Sequence, residues 1–137
     1  MSDFISSLRI AATGLHAQNA RMRIIAENIA NADSAGKTAD EDPYRRRIPT
    51  FEAVMNAEAG GQIVELGKIA FDQSDFQSRY EPGHPAADAN GYVKYPNVNT
   101  LIESMDMRSA QRTYEANLNV VTVTRSMLGR TLDILKG

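Results

Sequence analysis

The stretch from Asn97 to Gly137 limits what this chain can become more than any other. Met107, Ala110, Tyr114, Leu118, Val121, Leu128, Leu132 and Leu135 recur at intervals of three, four or seven, with only Thr124 or Arg125 interrupting the stripe. Thr100 and Glu103 have the spacing of a capping box, in which each side chain accepts from the other's backbone N–H, so the helix is expected to open there. No proline or glycine intervenes before Gly129, and one late glycine costs only about 1 kcal/mol. At 1.5 Å per residue such a helix reaches roughly 50 Å, longer than a domain of this mass needs for its own core. It therefore requires a partner.

Residues Phe4 to Ala30 carry a second helical pattern. Leu8, Leu15, Met22 and Ile29 are spaced by seven, and Ile5, Ala12 and Ala26 fill intermediate positions, a coiled-coil-like seam over three to four heptads. Asn19 falls in the same set: buried in the seam it would weaken the pairing but fix its register, and a place at the rim is the blander and favoured reading. Asp3 is the expected N-cap, Gly14 allows another backbone to approach, and an asparagine between Asn28 and Asn31 is expected to close the helix in a left-handed cap.

Between these helices the period changes. Asn31 to Pro43 is small and polar and reads as a mobile or partner-ordered loop. Its acidic end, Asp40-Glu41-Asp42, gives way at once to Tyr44-Arg45-Arg46-Arg47, read as a solvated or interface charge cluster. Phe51 to Ala59 suits a short helix or strand ended by Gly60-Gly61. Ile63 to Phe71 is rich in β-branched residues, and Phe76, Ser78 and Tyr80 alternate with polar neighbours. Two to four short strands are expected, too few to bury much alone. Pro82-Gly83, Pro85, Asn90-Gly91 and Pro96 then make a stiff loop, with a type I′ turn expected at Asn90-Gly91. The fold class is mainly α: long N- and C-terminal helices (residues 1–32 and 97–137) pairing as a coiled coil, with a small β-containing module (33–96) between them.

Composition removes several classes of function. Fifteen lysines and arginines against 17 aspartates and glutamates leave a net charge of -2, which offers no nucleic-acid surface. Without cysteine there is no disulfide, thiolate metal site or cysteine nucleophile. No apolar run approaches the roughly 20 residues of a membrane span, and Met1 to Arg9 lacks the basic and apolar regions of a cleaved secretory signal. His16 has no metal-binding partner one turn on. His84 and Asp88, four apart in a loop, could in principle bind metal or form a base, but turn hydrogen bonding is the better reading. No nucleophile elbow or phosphate-cradling glycine loop is present, so the chain reads as a non-enzyme without cofactor or metal. Met22, Met55, Met105, Met107 and Met127 read as packing residues. Glu115 and Asn117, beside Tyr114 in mid-helix, are candidates for setting which helix docks there.

Leu15-His-Ala-Gln-Asn-Ala-Arg21 and Ala26-Glu-Asn-Ile-Ala-Asn-Ala32 resemble the N-terminal signature of flagellar rod and hook proteins. Asp42 to Arg47, Tyr80 to Lys94, Pro96 to Asn99 and Arg112 to Asn117 resemble the proximal rod subunits of that family. Ala35 and Gln111 depart from the usual pattern, as does Glu103 to Arg108, where a more hydrophobic stretch is expected. The resemblance implies a structural subunit of the basal-body rod, polymerising through its terminal helices to transmit torque and line the export channel. It also implies passage through the flagellar type III export apparatus without a cleaved signal, and a periplasmic location. The implied neighbours are further copies of the chain, the rod subunits FlgB, FlgF and FlgG, and the adaptor FliE, with no nucleic acid and no direct membrane insertion. Subunit contacts are expected at Leu8, Leu15, Met22, Asn28, Ile29, Asn31, Tyr114, Glu115, Asn117, Leu118, Val121, Leu128 and Leu132. Alternatives are another axial subunit of the same apparatus, a free-standing coiled-coil adaptor, or a small hydrolase built on His84 and Asp88.

Overall fold

A computed structural model describes residues 2–137. The two periodic stretches form helices α1 (Ser2–Ala30) and α2 (Thr100–Lys136). Between them lie β1 (Arg47–Ile48), β2 (Phe51–Asn56), β3 (Gly61–Leu66), β4 (Ala70–Phe71), β5 (Gln77–Tyr80) and β6 (Tyr92–Tyr95). The architecture is thus two long terminal helices with a small β-containing segment between them. Among the described residues the strands number six rather than two to four, and they form three separate antiparallel pairs, β1 with β4, β2 with β3 and β5 with β6. No helix among the described residues is long and apolar enough to cross a membrane.

The chain divides into two compact units, each built from parts of both helices. The first comprises Met1–Met22, Thr50–Lys68 and Arg108–Gly137. Its interior is lined by small side chains, Ala11, Ala17, Ala59 and Ala110, with Ile63 and Thr124. Small residues let backbones come close, and Gly14 takes this furthest: a Cβ there would fall 2.7 Å from Asn117 Nδ2. Phe51 to Asn56 is a strand, paired with β3 in the register Phe51↔Leu66 through Asn56↔Gly61. Gly60, at φ +76°, makes the reversal between them, a backbone conformation that favours glycine. Val64 N–H donates to Thr13 Oγ1 at 3.4 Å, holding the hairpin to α1.

The second unit comprises Arg23–Pro49 and Ile69–Met107. Along β6 the side chains alternate, Val93 and Tyr95 inward and Tyr92 and Lys94 outward, and Ala86 joins the inner pair with Ala35 and Ala87 packed against it. Ile24, Ile25, Ala32 and Val98 are also buried, and each fully enclosed aliphatic side chain contributes about 1.5–3 kcal/mol. Residues 31–43 are folded into turns rather than left loose. Tyr44 N–H donates to Ser34 O, Lys37 N–H to Glu41 Oε2, and a Cβ at Gly36 would fall 2.3 Å from Glu41 O.

Local chemistry departs from expectation at each helix end. Asn99, not Thr100, caps α2: its Oδ1 accepts from Leu101 N–H at 3.0 Å and Ile102 N–H at 3.4 Å. The capping box does not form, because Glu103 is turned inward. Asp3 lies within the first turn of α1 rather than ahead of it. Neither Asn28 nor Asn31 is left-handed, since no non-glycine residue among the described ones has positive φ. Instead the Asn31 backbone and side-chain N–H groups both donate to Glu27 O. The Asn90-Gly91 turn is not type I′, which needs positive φ at both positions; only Gly91, at +85°, has it. Asp88 organises this turn, its Oδ1 accepting from the N–H groups of Asn90 and Tyr92.

Candidate functional site

Two features can support a mechanical role: a buried polar node in the second unit and exposed apolar helix faces. The node is centred on Asn28, near the end of α1. Its Nδ2 donates to Arg47 O at 2.9 Å and Glu103 Oε2 at 3.4 Å, while its Oδ1 accepts from Tyr44 Oη–H at 2.7 Å and Arg47 N–H at 3.0 Å. Both donors and both acceptor positions of the amide are used, which is what burial of an asparagine demands. Glu103, only 1% exposed, accepts from Arg46 Nε as well. Arg46 also reaches Asp72 Oδ2 at 3.4 Å and Asp106 Oδ2 at 3.7 Å, and its backbone N–H donates to Asn97 Oδ1 at 2.8 Å.

The arginine triplet is consumed within the chain. Arg47 Nη1 pairs with Glu27 Oε2 at 2.7 Å. Arg45 Nη1 donates to Asp72 O at 2.7 Å and Ser74 O at 3.2 Å, with its guanidinium over the Phe76 ring at 4.2 Å. A solvated cluster or a nucleic-acid patch would leave these groups free. Here they fasten 44–47, Asp72 to Ser74 and the first turn of α2 onto the end of α1.

The electrostatics follow. Burial works against the Arg46 charge, but hydrogen bonding and attraction to Glu103 and Asp72 outweigh it and raise the guanidinium pKa. The Ser74 N–H and hydroxyl, followed by Arg46, hold the Asp72 carboxyl below its usual range. Burial pushes the Tyr44 phenol up. Among described residues no side-chain polar atom is buried without a partner.

The residues expected at subunit contacts fall into three groups. Asn28 and Asn117 face inward within the chain, and Asn31 accepts from Ser34 Oγ–H at 3.1 Å. Leu8, Leu15, Met22, Tyr114, Val121 and Leu128 are half-buried, whereas Ile29, Glu115, Leu118 and Leu132 are exposed. The face buried within the chain is therefore offset from the apolar seam, running through Ala11, Ala17, Ile24 and Asn28 on α1 and through Glu103, Ala110 and Thr124 on α2. Thr124 belongs to the packed stripe rather than interrupting it. Three methionines read as packing residues, Met55, Met105 and Met127, lie on the surface. Sequence reasoning missed Tyr44, Arg46, Asp72, Asn97 and Glu103 as one constellation. The available signal was charge: three consecutive arginines in a near-neutral chain need carboxylate partners somewhere.

His84 serves its turn. Its Nδ1 accepts from Ala86 N–H at 3.0 Å and its ring meets Tyr95 edge-on. That nitrogen and Asp88 Oδ1 are both engaged by backbone amides, the turn hydrogen bonding expected of them. No cluster of three or more metal-ligating side chains is found among the described residues.

Comparison with known proteins gives a consistent result. A family model described as "Flagella basal body rod protein" matches residues 8–36, and one described as "Flagellar basal body rod FlgEFG protein C-terminal" matches residues 89–134. A protein of Agrobacterium fabrum named flagellar basal-body rod protein FlgC is 48% identical over 136 residues, covering 99% of this chain and 98% of the relative. Proteins of the same name from Aquifex aeolicus, 37% identical over 99% of this chain and 100% of the relative, and from Salmonella typhimurium, 40% identical over 91% and 92%, are also similar. Such identity along nearly the full length of both partners, on a chain whose two ends also match the rod models, shows that it belongs to the FlgC family of flagellar basal-body rod proteins.

Proposed function

We propose that this protein is a structural subunit of the proximal rod of the flagellar basal body, with no catalytic role, and that its terminal helices pack with those of neighbouring subunits to build a torque-bearing shaft around an export channel. The observation that carries this reading is the surface of α2, where Leu118, Val123, Met127, Leu132, Ile134 and Leu135 remain exposed on a helix of 37 residues. An apolar helix of that length is stable when other helices cover it. Contacts made by different surfaces of identical or related subunits extend into a helical filament when the rotation from one subunit to the next does not close a ring.

Pairing of α1 with α2 as a coiled coil within each subunit is part of the proposal. It is supported by the close approach of Asn117 to Gly14 in one unit and by the Asn28 to Glu103 hydrogen bond in the other. Leu8, Leu15, Met22, Ile29, Tyr114, Glu115, Leu118, Val121, Leu128 and Leu132 are the proposed contacts with neighbours, while Asn28, Asn31 and Asn117 shape those surfaces from within. FlgB, FlgF, FlgG and FliE are the proposed heterologous neighbours. Delivery through the flagellar export apparatus to a periplasmic position in the rod belongs to the same proposal. The test is complementation of a strain lacking the protein. The wild-type chain restores swimming and Leu118→Asp does not, at equal cellular levels; normal swimming with Leu118→Asp refutes the assignment of α2 as an assembly surface.

A further inference from the structure

Asn90 is followed by Gly91, whereas every other asparagine of the chain precedes Ala, Ile, Val, Thr or Leu. The carboxamide of an asparagine can be attacked by the backbone nitrogen of the next residue, and a side chain on that residue hinders the approach. Glycine has none. Asn90 lies exposed in the connection between β5 and β6 of the second unit, open to water. It is therefore the position at which the sequence leaves this reaction unhindered.

The folded turn holds the reacting groups in check. Gly91 N–H, whose nitrogen becomes the nucleophile on losing its proton, donates to Asp88 O at 3.0 Å, and Gly91 is buried. On either side of it Asp88 Oδ1 accepts from Asn90 N–H at 2.8 Å and from Tyr92 N–H at 3.0 Å, so one aspartate anchors three consecutive amides. Gly91 O is held as well, accepting from Glu81 N–H at 2.9 Å. Ring closure requires the backbone between Asn90 and Gly91 to rotate, and these bonds oppose the rotation.

We propose that Asn90 is a modification site, converted through a cyclic imide to aspartate and isoaspartate when the turn opens, and that Asp88 keeps it intact in the folded chain. Water is the only co-reactant. Gly91 N bonds to Asn90 Cγ, the Cγ–Nδ2 bond breaks, and ammonia leaves with the proton from Gly91 N. Water then adds to either carbonyl of the imide and opens it, giving aspartate, or isoaspartate with the main chain routed through the side-chain carbons.

The products do not fit the turn. Isoaspartate lengthens the link to Gly91 by one methylene, at a residue with φ +85° where an added Cβ would already lie 2.8 Å from the Tyr80 ring. Either product adds a negative charge two residues from Asp88. The modified chain thus loses the end of the β5–β6 pair, where Tyr80 opposes Tyr92 with ring centroids 5.3 Å apart.

Trypsin cuts after Arg79 and Lys94, and Asn90 is the single asparagine of the peptide between them, so mass mapping reads the conversion as a gain of one mass unit. The full chain is incubated in mildly alkaline buffer, folded and in urea. Asn90 converts at least about tenfold faster in urea than in the folded chain, because opening of the turn is then no longer required, and isoaspartate exceeds aspartate. Under folding conditions Asp88→Ala speeds the conversion about fivefold with its helical content retained, whereas Asp88→Asn, which keeps an acceptor oxygen, stays within about twofold of wild type. Equal rates in folded and urea-unfolded wild type overturn the protection, a comparison that needs no variant. Asp88→Ala at the wild-type rate, or Asp88→Asn as fast as Asp88→Ala, overturns the role of Asp88. Conversion in urea that is no faster at Asn90 than at Asn56, or that Gly91→Ala does not slow, overturns the site itself.

Discussion

Asn28 and Glu103, 75 residues apart in sequence, share a hydrogen bond of 3.4 Å in the buried interior of the second unit. Each is about 1% exposed, and each is also held by the arginine triplet. A neutral amide and a carboxylate thus fix the end of α1 against the beginning of α2 where apolar contact alone would allow sliding. Polar partners specify one register because any other leaves buried groups unsatisfied.

Removing either partner therefore costs more than an ordinary surface substitution. Asn28→Ala leaves the Tyr44 hydroxyl and the Arg47 N–H without their shared acceptor, a loss of about 1–3 kcal/mol. Glu103→Ala strips Arg46 of its main counter-charge. Breaking a fully buried pair costs about 3–5 kcal/mol, and the partial exposure of Arg46, with Asp72 and Asp106 still near, reduces this to about 2–3. Urea unfolding monitored by circular dichroism checks both; midpoints equal to wild type would show that the node is ornamental.

The node also sets a direction for pH. Asp72 is held below the usual carboxylate range in the fold, so its stabilising contribution is present above its unfolded value, near roughly pH 4, and is lost as the pH falls through the lower folded value. On the alkaline side the buried Tyr44 phenol is raised, so its contribution is complete below the ordinary tyrosine value of about 10 and is lost as the pH rises through the folded one. Denaturation midpoints across this range fall at both ends, and Asp72→Asn flattens the acid limb without moving the alkaline one.

Three glycines predict three different outcomes for substitution by alanine. Gly91 has φ +85° and a Cβ there would lie 2.8 Å from the Tyr80 ring, so Gly91→Ala loses about 2 kcal/mol. Gly83 has open space and no such φ, so Gly83→Ala stays within about 0.5 kcal/mol. Gly129 sits inside α2 with nothing within 4 Å, and Gly129→Ala gains up to about 1 kcal/mol in helix propensity. Thermal unfolding of the three variants ranks them in that order.

Gly14 tests close approach in the first unit. Gly14→Leu inserts a branched side chain where even a Cβ would lie 2.7 Å from Asn117 Nδ2, and it destabilises by about 1–3 kcal/mol. Asn117→Ala in the same chain vacates that space and recovers part of the loss. Additive effects in the double-mutant cycle would mean that the two positions do not touch.

The legibility of this architecture in sequence was uneven for a physical reason. Both helices were plain from periodicity, because one-sided burial over many turns leaves a repeat near 3.6. The packing face was not. α2 carries apolar residues on several sides, so periodicity puts Leu118 and Leu132 in the seam although they are exposed, and it reads Thr124 as an interruption, Glu103 as a cap and Asn117 as a contact with a neighbour, although all three face inward. Glu103 departs from the more hydrophobic pattern expected there, yet it is buried because Arg46 and Asn28 neutralise and bond it. The Arg45 to Arg47 cluster was visible as charge, but its partners Asp72 and Glu27 lie far along the chain, where no local rule finds them. The strands between Arg47 and Tyr95 were seen only in outline, because each pair is short and set by turn chemistry at Gly60, Asp88 and Gly91.

The central claim is that the exposed apolar faces of the terminal helices are covered by other subunits. Sedimentation velocity of the purified chain over a hundredfold range of concentration, beside Leu118→Asp, tests it most directly, since Leu118 is 44% exposed and its substitution leaves the subunit folded. The account predicts that the wild-type chain grows into larger species as concentration rises, while Leu118→Asp keeps its helical content and sediments as a monomer throughout. A wild-type chain that remains a monomer at every concentration, or a Leu118→Asp chain that assembles equally well, would contradict it.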